Sequence, residues 1–175
     1  MSYGINELEL RGAVSGQSIV VRGGPFRKCP EDAFGVNMAA GEQPGGDIRV
    51  EVVDFGVPDP DALRLRALYA CYVALKGESI YVGCGAGIGR TGTFLAVMAR
   101  IMNPECDGAR QRGYPKADGV TGWLREKYRE GAVETSAQDE LVNSLDLEWE
   151  RRLYAHWCEA KRLGLPMNYP WVVPF

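Results

Sequence analysis

A chain of 175 residues suits one domain and can bury a sizeable core without disulfide staples. Its apolar fraction of 46% and charged fraction of 25% are ordinary for a soluble globular protein. A net charge of −3 argues against a general nucleic-acid binder, yet leaves room for one local positive pocket that holds an anion.

Five cysteines, Cys29, Cys71, Cys84, Cys106 and Cys158, form an odd set with no CxxC spacing. They read as thiols of a reducing compartment, not as a disulfide framework. The single histidine, His156, leaves a zinc site short of its usual ligands. It also leaves any Cys/His or Ser/His mechanism dependent on that one residue. The start, MSYGINELEL, has no basic region followed by an apolar run, and the apolar stretch Phe94 to Ala99 is too short to span a bilayer. The expectation is a cytoplasmic protein without a membrane span, organised as one domain over 1–175.

In chain order, residues 1–16 read as polar loop with room for one short strand. Ser18–Val21 predicts a strand, 22–30 a Gly/Pro loop, Phe34–Met38 a weak strand and 40–46 a turn. Across Asp47–Asp54, Ile48, Val50 and Val52 alternate with polar residues, which predicts a strand ending in the loop FGVPDP. Residues 61–76 carry Leu65, Leu68, Tyr69, Tyr72, Val73 and Leu75 at helical spacing, with Asp59 or Asp61 as the cap. Ser79–Val82 predicts a short apolar strand. Thr93–Met102 is apolar nearly all round and predicts a buried helix. After a loop over 103–117, a helix is expected at Asp118–Arg129. One long charged helix is expected at Gln138–Leu163, with Leu141, Leu145, Trp149, Leu153 and Trp157 in a stripe. The tail from Pro166 reads as docked coil, and His156 as a half-buried structural residue. Strands alternating with helices give an α/β fold: a mostly parallel central sheet flanked by helices. Ligands then sit beyond the carboxyl ends of strands, where the loops after Val82 and Asp54 lie if both strands run the same way.

The stretch V-G-C-G-A-G-I-G-R-T-G at 82–92 carries the strongest chemistry. A buried strand enters it and a buried helix leaves it. Glycines let the backbone curl so that successive N–H groups point into one concavity, and the helix N-terminus adds its unpaired N–H groups and positive dipole end. Such a cup, built by Gly85, Ala86, Gly87, Ile88, Gly89 and Arg90, suits a tetrahedral anion. Cys84 stands at its rim, where the same field stabilises a thiolate. Arg90, six residues on, can fold back and meet two phosphate oxygens with its planar fork. Thr91 can donate its hydroxyl to the Cys84 sulfur. The run GIGRTG also fits the dinucleotide pattern G-x-G-x-x-G, a weak match that leaves Cys84 without a task. A Walker A loop fails, because Arg90 stands at its Lys position.

Cys84, Gly87, Arg90, Thr91 and Gly92 resemble the phosphate loop HC-x-x-G-x-x-R-[ST]-G of the protein tyrosine phosphatase superfamily. Gly83 stands where that family usually has His. The segment V-V-D-F-G-V-P at 52–58 resembles the family's W-P-D-x-G-V-P acid loop, with Val52 and Val53 in place of Trp and Pro. The resemblance makes Asp54 the general acid, while capping suits Asp59 and Asp61. The stretch R-E-G-A-V-E-T-S-A-Q at 129–138 resembles the family's water-positioning region. There Gln138 aligns with the water-orienting Gln and Glu134 with a first Gln. Thr135 and Gln138 also form a capping-box pattern that competes with the catalytic reading.

Three separated pieces in the family's order imply a compact, dual-specificity-like phosphatase. The implied reaction is metal-independent and cofactor-free: Cys84 attacks phosphorus, Asp54 protonates the leaving alcohol, and water placed by Gln138 hydrolyses the cysteinyl phosphate. Arg90 and the 85–90 backbone stabilise the equatorial oxygens. The partner is a phosphorylated protein or a small phosphoester. Neutral residues at 85–88 favour protein phosphotyrosine, with phosphoserine and phosphothreonine as further options. An inositol phosphate, phospholipid or nucleotide phosphatase is the alternative, as is a catalytically weak phosphate-binding module.

Overall fold

The computed structural model describes residues 4–11, 18–103, 106 and 119–170. Among the described residues, five strands form one sheet: β1 (Asn6–Arg11), β2 (Ser18–Pro25), β3 (Phe34–Asn37), β4 (Ile48–Arg49) and β5 (Ile80–Cys84). Five helices of the same residues accompany it: α1 (Pro60–Leu75), α2 (Gly89–Met102), α3 (Val120–Lys127), α4 (Ser136–Ser144) and α5 (Glu148–Arg162). The strand order is β1-β2-β5-β3-β4. β1 runs antiparallel to β2, and the other neighbouring pairs are parallel. This is the mostly parallel α/β sheet expected from the alternation of elements.

β5 is central, and all five of its residues are buried. A strand paired on both edges and covered on its faces reads as a continuous apolar run, which is why IYV carries no alternation. β4 and β5 both lie parallel to β3, so the chain leaves both at the same end of the sheet. The loop carrying Asp54 and the loop carrying Gly85 to Ile88 are thereby brought to one edge.

α2 is buried along its whole length and packs against α1, α3, α4 and α5. Its buried Arg100 donates through Nη1 to the Val142 carbonyl at 2.7 Å, and Arg151 donates through Nε to the Arg100 carbonyl at 2.7 Å. α1 begins at Asp59, whose carboxylate accepts from the Ala62 N–H at 2.8 Å, with Pro60 at the first position. Asp59 is therefore the cap, not Asp61.

Several local expectations are corrected. Residues 22–25 belong to β2 and 26–28 form a 3₁₀ turn, because pairing with β5 through Pro25 and Cys84 overrides the glycines' preference for loop. The ladder in the fourth strand stops at Arg49, although burial still alternates through Ile48, Val50 and Val52. The long C-terminal helix is two helices. Leu145 takes φ −56°, ψ 128°, and just before the new start, whose cap position is Leu147, Asp146 Oδ1 accepts from the Glu148 N–H at 3.1 Å. The apolar spacing runs across this break, so periodicity alone does not reveal it. On α5 the buried face is Glu150, Tyr154, Trp157 and Cys158, while Trp149 and His156 are exposed. The third helix spans only Val120–Lys127, and Asp118 lies outside the described residues, as does most of the 103–117 loop. The tail is docked as far as it is described: Tyr72 donates to the Met167 carbonyl at 3.0 Å and Trp157 Nε1 to the Asn168 carbonyl at 3.1 Å.

Candidate active site

Cys84 is the last residue of β5 and is 3% exposed. The chain then curls through 85–88, with Gly87 at φ +77°, and enters α2 at Gly89. The curl turns the Gly87 N–H back on Cys84, where it donates to Sγ at 3.2 Å. The sulfur thus meets a backbone donor at the amino end of a buried helix.

The outer wall of this loop is tied down by two residues of the segment after α3. Tyr128 donates its hydroxyl to the Gly87 carbonyl at 2.9 Å, and Arg129 donates through Nη1 to the Ala86 carbonyl at 3.3 Å. With these carbonyls held, the Gly87 N–H is turned toward Cys84. Burial pushes the Tyr128 phenol well up, so it stays a donor.

Arg90 sits in the first turn of α2, is 3% exposed and is directed back across the cup. Nη1 donates to Val52 O at 2.8 Å and to Glu42 Oε1 at 2.6 Å. Nη2 lies 3.3 Å from Glu42 Oε2 and 3.0 Å from Asp54 Oδ1. Burial alone would depress the Arg90 pKa, but the Glu42 hydrogen bond and the charges of Cys84, Glu42 and Asp54 raise it overall. The same hydrogen bond holds the Glu42 carboxyl below its ordinary range. Nε, the remaining guanidinium donor, is buried and meets no acceptor among the described residues. A buried donor without an acceptor is costly unless a ligand satisfies it. The Thr91 hydroxyl, wholly buried, is likewise without a hydrogen-bond partner among the described residues.

Asp54 follows Val53 into a tight turn in which Gly56 N–H returns to Val53 O at 2.9 Å and Phe55 takes φ +59°. Its carboxylate is 63% exposed and stands over Arg90. Val53, Phe55 and Val57 around it are exposed, forming an apolar lip beside the acid.

The third motif reaches the cup through α2. A Cβ at Gly92 would lie 2.7 Å from Val133 N, and one at Gly89 would collide with the Glu134 carboxylate and sit 3.1 Å from Gln138 Oε1. Glycine at these two positions, one turn apart on one helix face, lets the 132–138 segment lie against the helix start. Gln138 is fully buried there, and both halves of the capping box form. Its Oε1 accepts from the Glu134 N–H at 2.8 Å and its Nε2 donates to the Gly56 carbonyl at 2.9 Å. The expectation of an amide aimed at a hydrolytic water meets different geometry: both ends of this side chain already hold protein partners.

The structure thus brings Cys84, Arg90, Asp54 and the 85–90 loop together, while the expected bond from the Thr91 hydroxyl to the Cys84 sulfur is not formed. Sequence reasoning missed Glu42, Tyr128 and Arg129. No motif marks Glu42, which lies in a turn. Tyr128 directly precedes the recognised 129–138 stretch and Arg129 opens it, and a polar pair there was the available signal.

Residues 48–142, more than half of the chain, match the family "Swiss Army Knife protein, DSP-PTPase phosphatase domain" (PTP-SAK). The chain belongs to this family. Two curated relatives come from Methanocaldococcus jannaschii. The uncharacterized protein MJ0215 is 34% identical over 96 residues, covering 53% of this chain and 50% of the relative. The uncharacterized protein MJECL20 is 32% identical over 93 residues, covering 53% and 54%. The chain therefore spans about half the length of the curated relatives it matches. The PTP-SAK match includes Asp54, the Cys84 loop and Gln138, and it makes the domain a cysteine-based phosphatase domain of the protein tyrosine phosphatase superfamily.

Proposed function

We propose that this PTP-SAK domain hydrolyses phosphomonoesters through a cysteinyl-phosphate intermediate, and that its substrate is phosphotyrosine in a protein. The observation that carries the reading is the 3.0 Å contact between Arg90 Nη2 and Asp54 Oδ1, which joins the phosphate clamp to the acid at the mouth of the Cys84 cup.

In the first step the Cys84 thiolate attacks phosphorus as the P–O bond breaks, and the Asp54 carboxylic acid gives its proton to the leaving oxygen. In the second, water attacks the thiophosphate, Asp54 takes a proton from it, and the thiolate leaves with inorganic phosphate released. Arg90 supplies Nε and Nη2 to the equatorial oxygens, together with the cup's N–H groups. The Thr91 hydroxyl is available to the sulfur as it departs. Glu134, whose carboxylate borders Gly89, is a further side chain beside the cup that can meet the attacking water.

The preference for an aryl phosphate on protein rests on the rim. Val53, Phe55 and Val57 offer apolar surface where the leaving group must lie. Glu42, Asp54 and Glu134 make the same rim acidic, which disfavours inositol polyphosphates and other polyanions. None of the five cysteines forms a disulfide, which suits work in a reducing compartment.

The test is turnover of a phosphotyrosine peptide, a phosphoserine peptide and phytate, with Cys84→Ser as the blank. The reading expects the phosphotyrosine peptide to be hydrolysed fastest and the blank to be inactive. Faster turnover of phytate would replace the protein substrate. Phosphate binding without turnover of any substrate would make this a binding module.

A further inference from the structure

The primary amide of Gln138 is fully buried and shared between two elements. Its oxygen serves the capping box of α4, accepting from the Glu134 N–H at 2.8 Å and the Thr135 N–H at 3.4 Å. Capping needs only that oxygen, and a glutamate would serve as well. The nitrogen does something else: Nε2 donates at 2.9 Å to the carbonyl of Gly56, two residues after Asp54.

Beyond the Asp54–Arg90 ion pair and the bond from the Gly56 N–H to the Val53 carbonyl, the Asp54 turn has little else to hold it. Its apolar side chains, Val53 at 78%, Phe55 at 61% and Val57 at 44% exposure, contribute little packing. Phe55 adopts φ +59°, a left-handed conformation that is costly for a bulky residue and persists only where the surroundings enforce it. Upstream, Arg90 Nη1 grips the Val52 carbonyl at 2.8 Å. Downstream, the next fixed point is the Asp59 cap of α1. Between these anchors, Gln138 is the side chain that holds the turn's own backbone.

Building on the phosphatase reading above, we propose that Gln138 is a positioning residue for the general acid. Its amide N–H latches the Gly56 carbonyl so that Asp54 stays over the cup, and it does not place the hydrolytic water. The two roles differ in reach. A latch acts through Asp54 on both protonation of the leaving group and activation of the water, whereas a water-placing amide governs only hydrolysis of the cysteinyl phosphate.

Gln138→Glu keeps the capping oxygen and removes the donor. Thr135→Ala weakens the same cap and leaves the donor. With a latch, Gln138→Glu lowers kcat/KM for phosphotyrosine peptide on the order of 10–100-fold, less than the full contribution of a general acid. With p-nitrophenyl phosphate, whose leaving group needs little protonation, the loss in kcat/KM is about threefold or less. Thr135→Ala lowers Tm yet keeps the wild-type ratio of the two substrates. Unchanged kcat/KM for the peptide, as a purely water-placing amide would give, or equal losses of kcat/KM for both substrates, would overturn the latch. Hydrogen exchange at the Gly56 amide, which donates to the Val53 carbonyl, reads the opening of the turn that the latch holds, without turnover. It should speed up in Gln138→Glu and stay slow in Thr135→Ala, and unchanged exchange in Gln138→Glu would overturn the proposal. An inactive wild-type enzyme would sink the phosphatase reading, while the exchange comparison would still decide the latch.

Discussion

Glu42 grips Arg90 with both carboxylate oxygens, Oε1 at 2.6 Å from Nη1 and Oε2 at 3.3 Å from Nη2. The contact joins a 48% exposed side chain to one that is 3% exposed, so the guanidinium is oriented from the solvent side of the cup. Replacing Glu42 with Ala should lower kcat/KM roughly tenfold, chiefly through KM, because Arg90 loses its orienting partner while the phosphate charge stays. The hydrogen bond from Arg90 depresses the Glu42 pKa. A depressed acid contributes stability that is present above its unfolded value and lost as pH falls through the folded one. The Tm difference between wild type and Glu42→Gln should therefore be constant near neutrality and vanish below the ordinary carboxylate range of about pH 4. Thermal melts across pH check this.

Asp54 carries two burdens, an ion pair with Arg90 and the proposed proton transfer. Asp54→Asn removes a negative charge that competes with phosphate for Nη2. Vanadate, a phosphate mimic, should bind more tightly by a few-fold. At the same time kcat for phosphotyrosine peptide should fall about 10²–10⁴-fold, with a smaller loss for p-nitrophenyl phosphate. Equal losses for both substrates would remove Asp54 from the acid role.

Gly83 has no room for the histidine usual in the superfamily. A Cβ there would lie 2.7 Å from Phe26 Cα and 2.9 Å from Phe26 N, both backbone atoms of the turn that follows β2. Gly83→His should thus destabilise the fold rather than improve the thiolate. Overpacking costs about 1–3 kcal/mol, and a chain of this size loses about 2–4 °C of Tm per kcal/mol. A variant with unchanged Tm and higher kcat would refute this account of the departure.

Tyr128 braces the cup from outside through its 2.9 Å bond to the Gly87 carbonyl. Tyr128→Phe keeps the ring and leaves that buried carbonyl with less support. The expected loss is about 1 kcal/mol in denaturant unfolding, since a neutral hydrogen bond is worth about 0.5–1.5 kcal/mol. Vanadate affinity should weaken in parallel. Loss of stability alone, with unchanged affinity, would confine Tyr128 to the core.

Much of the fold was legible because its signals are local. Pro60 after Asp59 announces α1, and the apolar run from Phe94 announces a helix buried on all sides. The misread elements depend on partners distant in sequence. β2 extends to Pro25 because β5 lies beside it, and the break at Leu145 to Leu147 hides within an unbroken apolar spacing. At the site, Cys84 and Arg90 share one short loop and one helix start. Glu42 belongs to a turn whose residues carry no chemistry of their own until Arg90 reaches it, 2.6 Å away.

What the amino-acid order alone determined is the chemistry of the cup. A thiol, glycines and a guanidinium within nine residues can close on an anion by local curling of the backbone. The tertiary structure alone decided who orients that chemistry. Parallel pairing of β4 and β5 with β3 carries Asp54 to the cup, and glycines at 89 and 92 admit the segment bearing Gln138. The reason is physical: a hydrogen bond from Gln138 to Gly56 spans 82 positions in sequence but 2.9 Å in space, and only the packed sheet and helices bring its ends together.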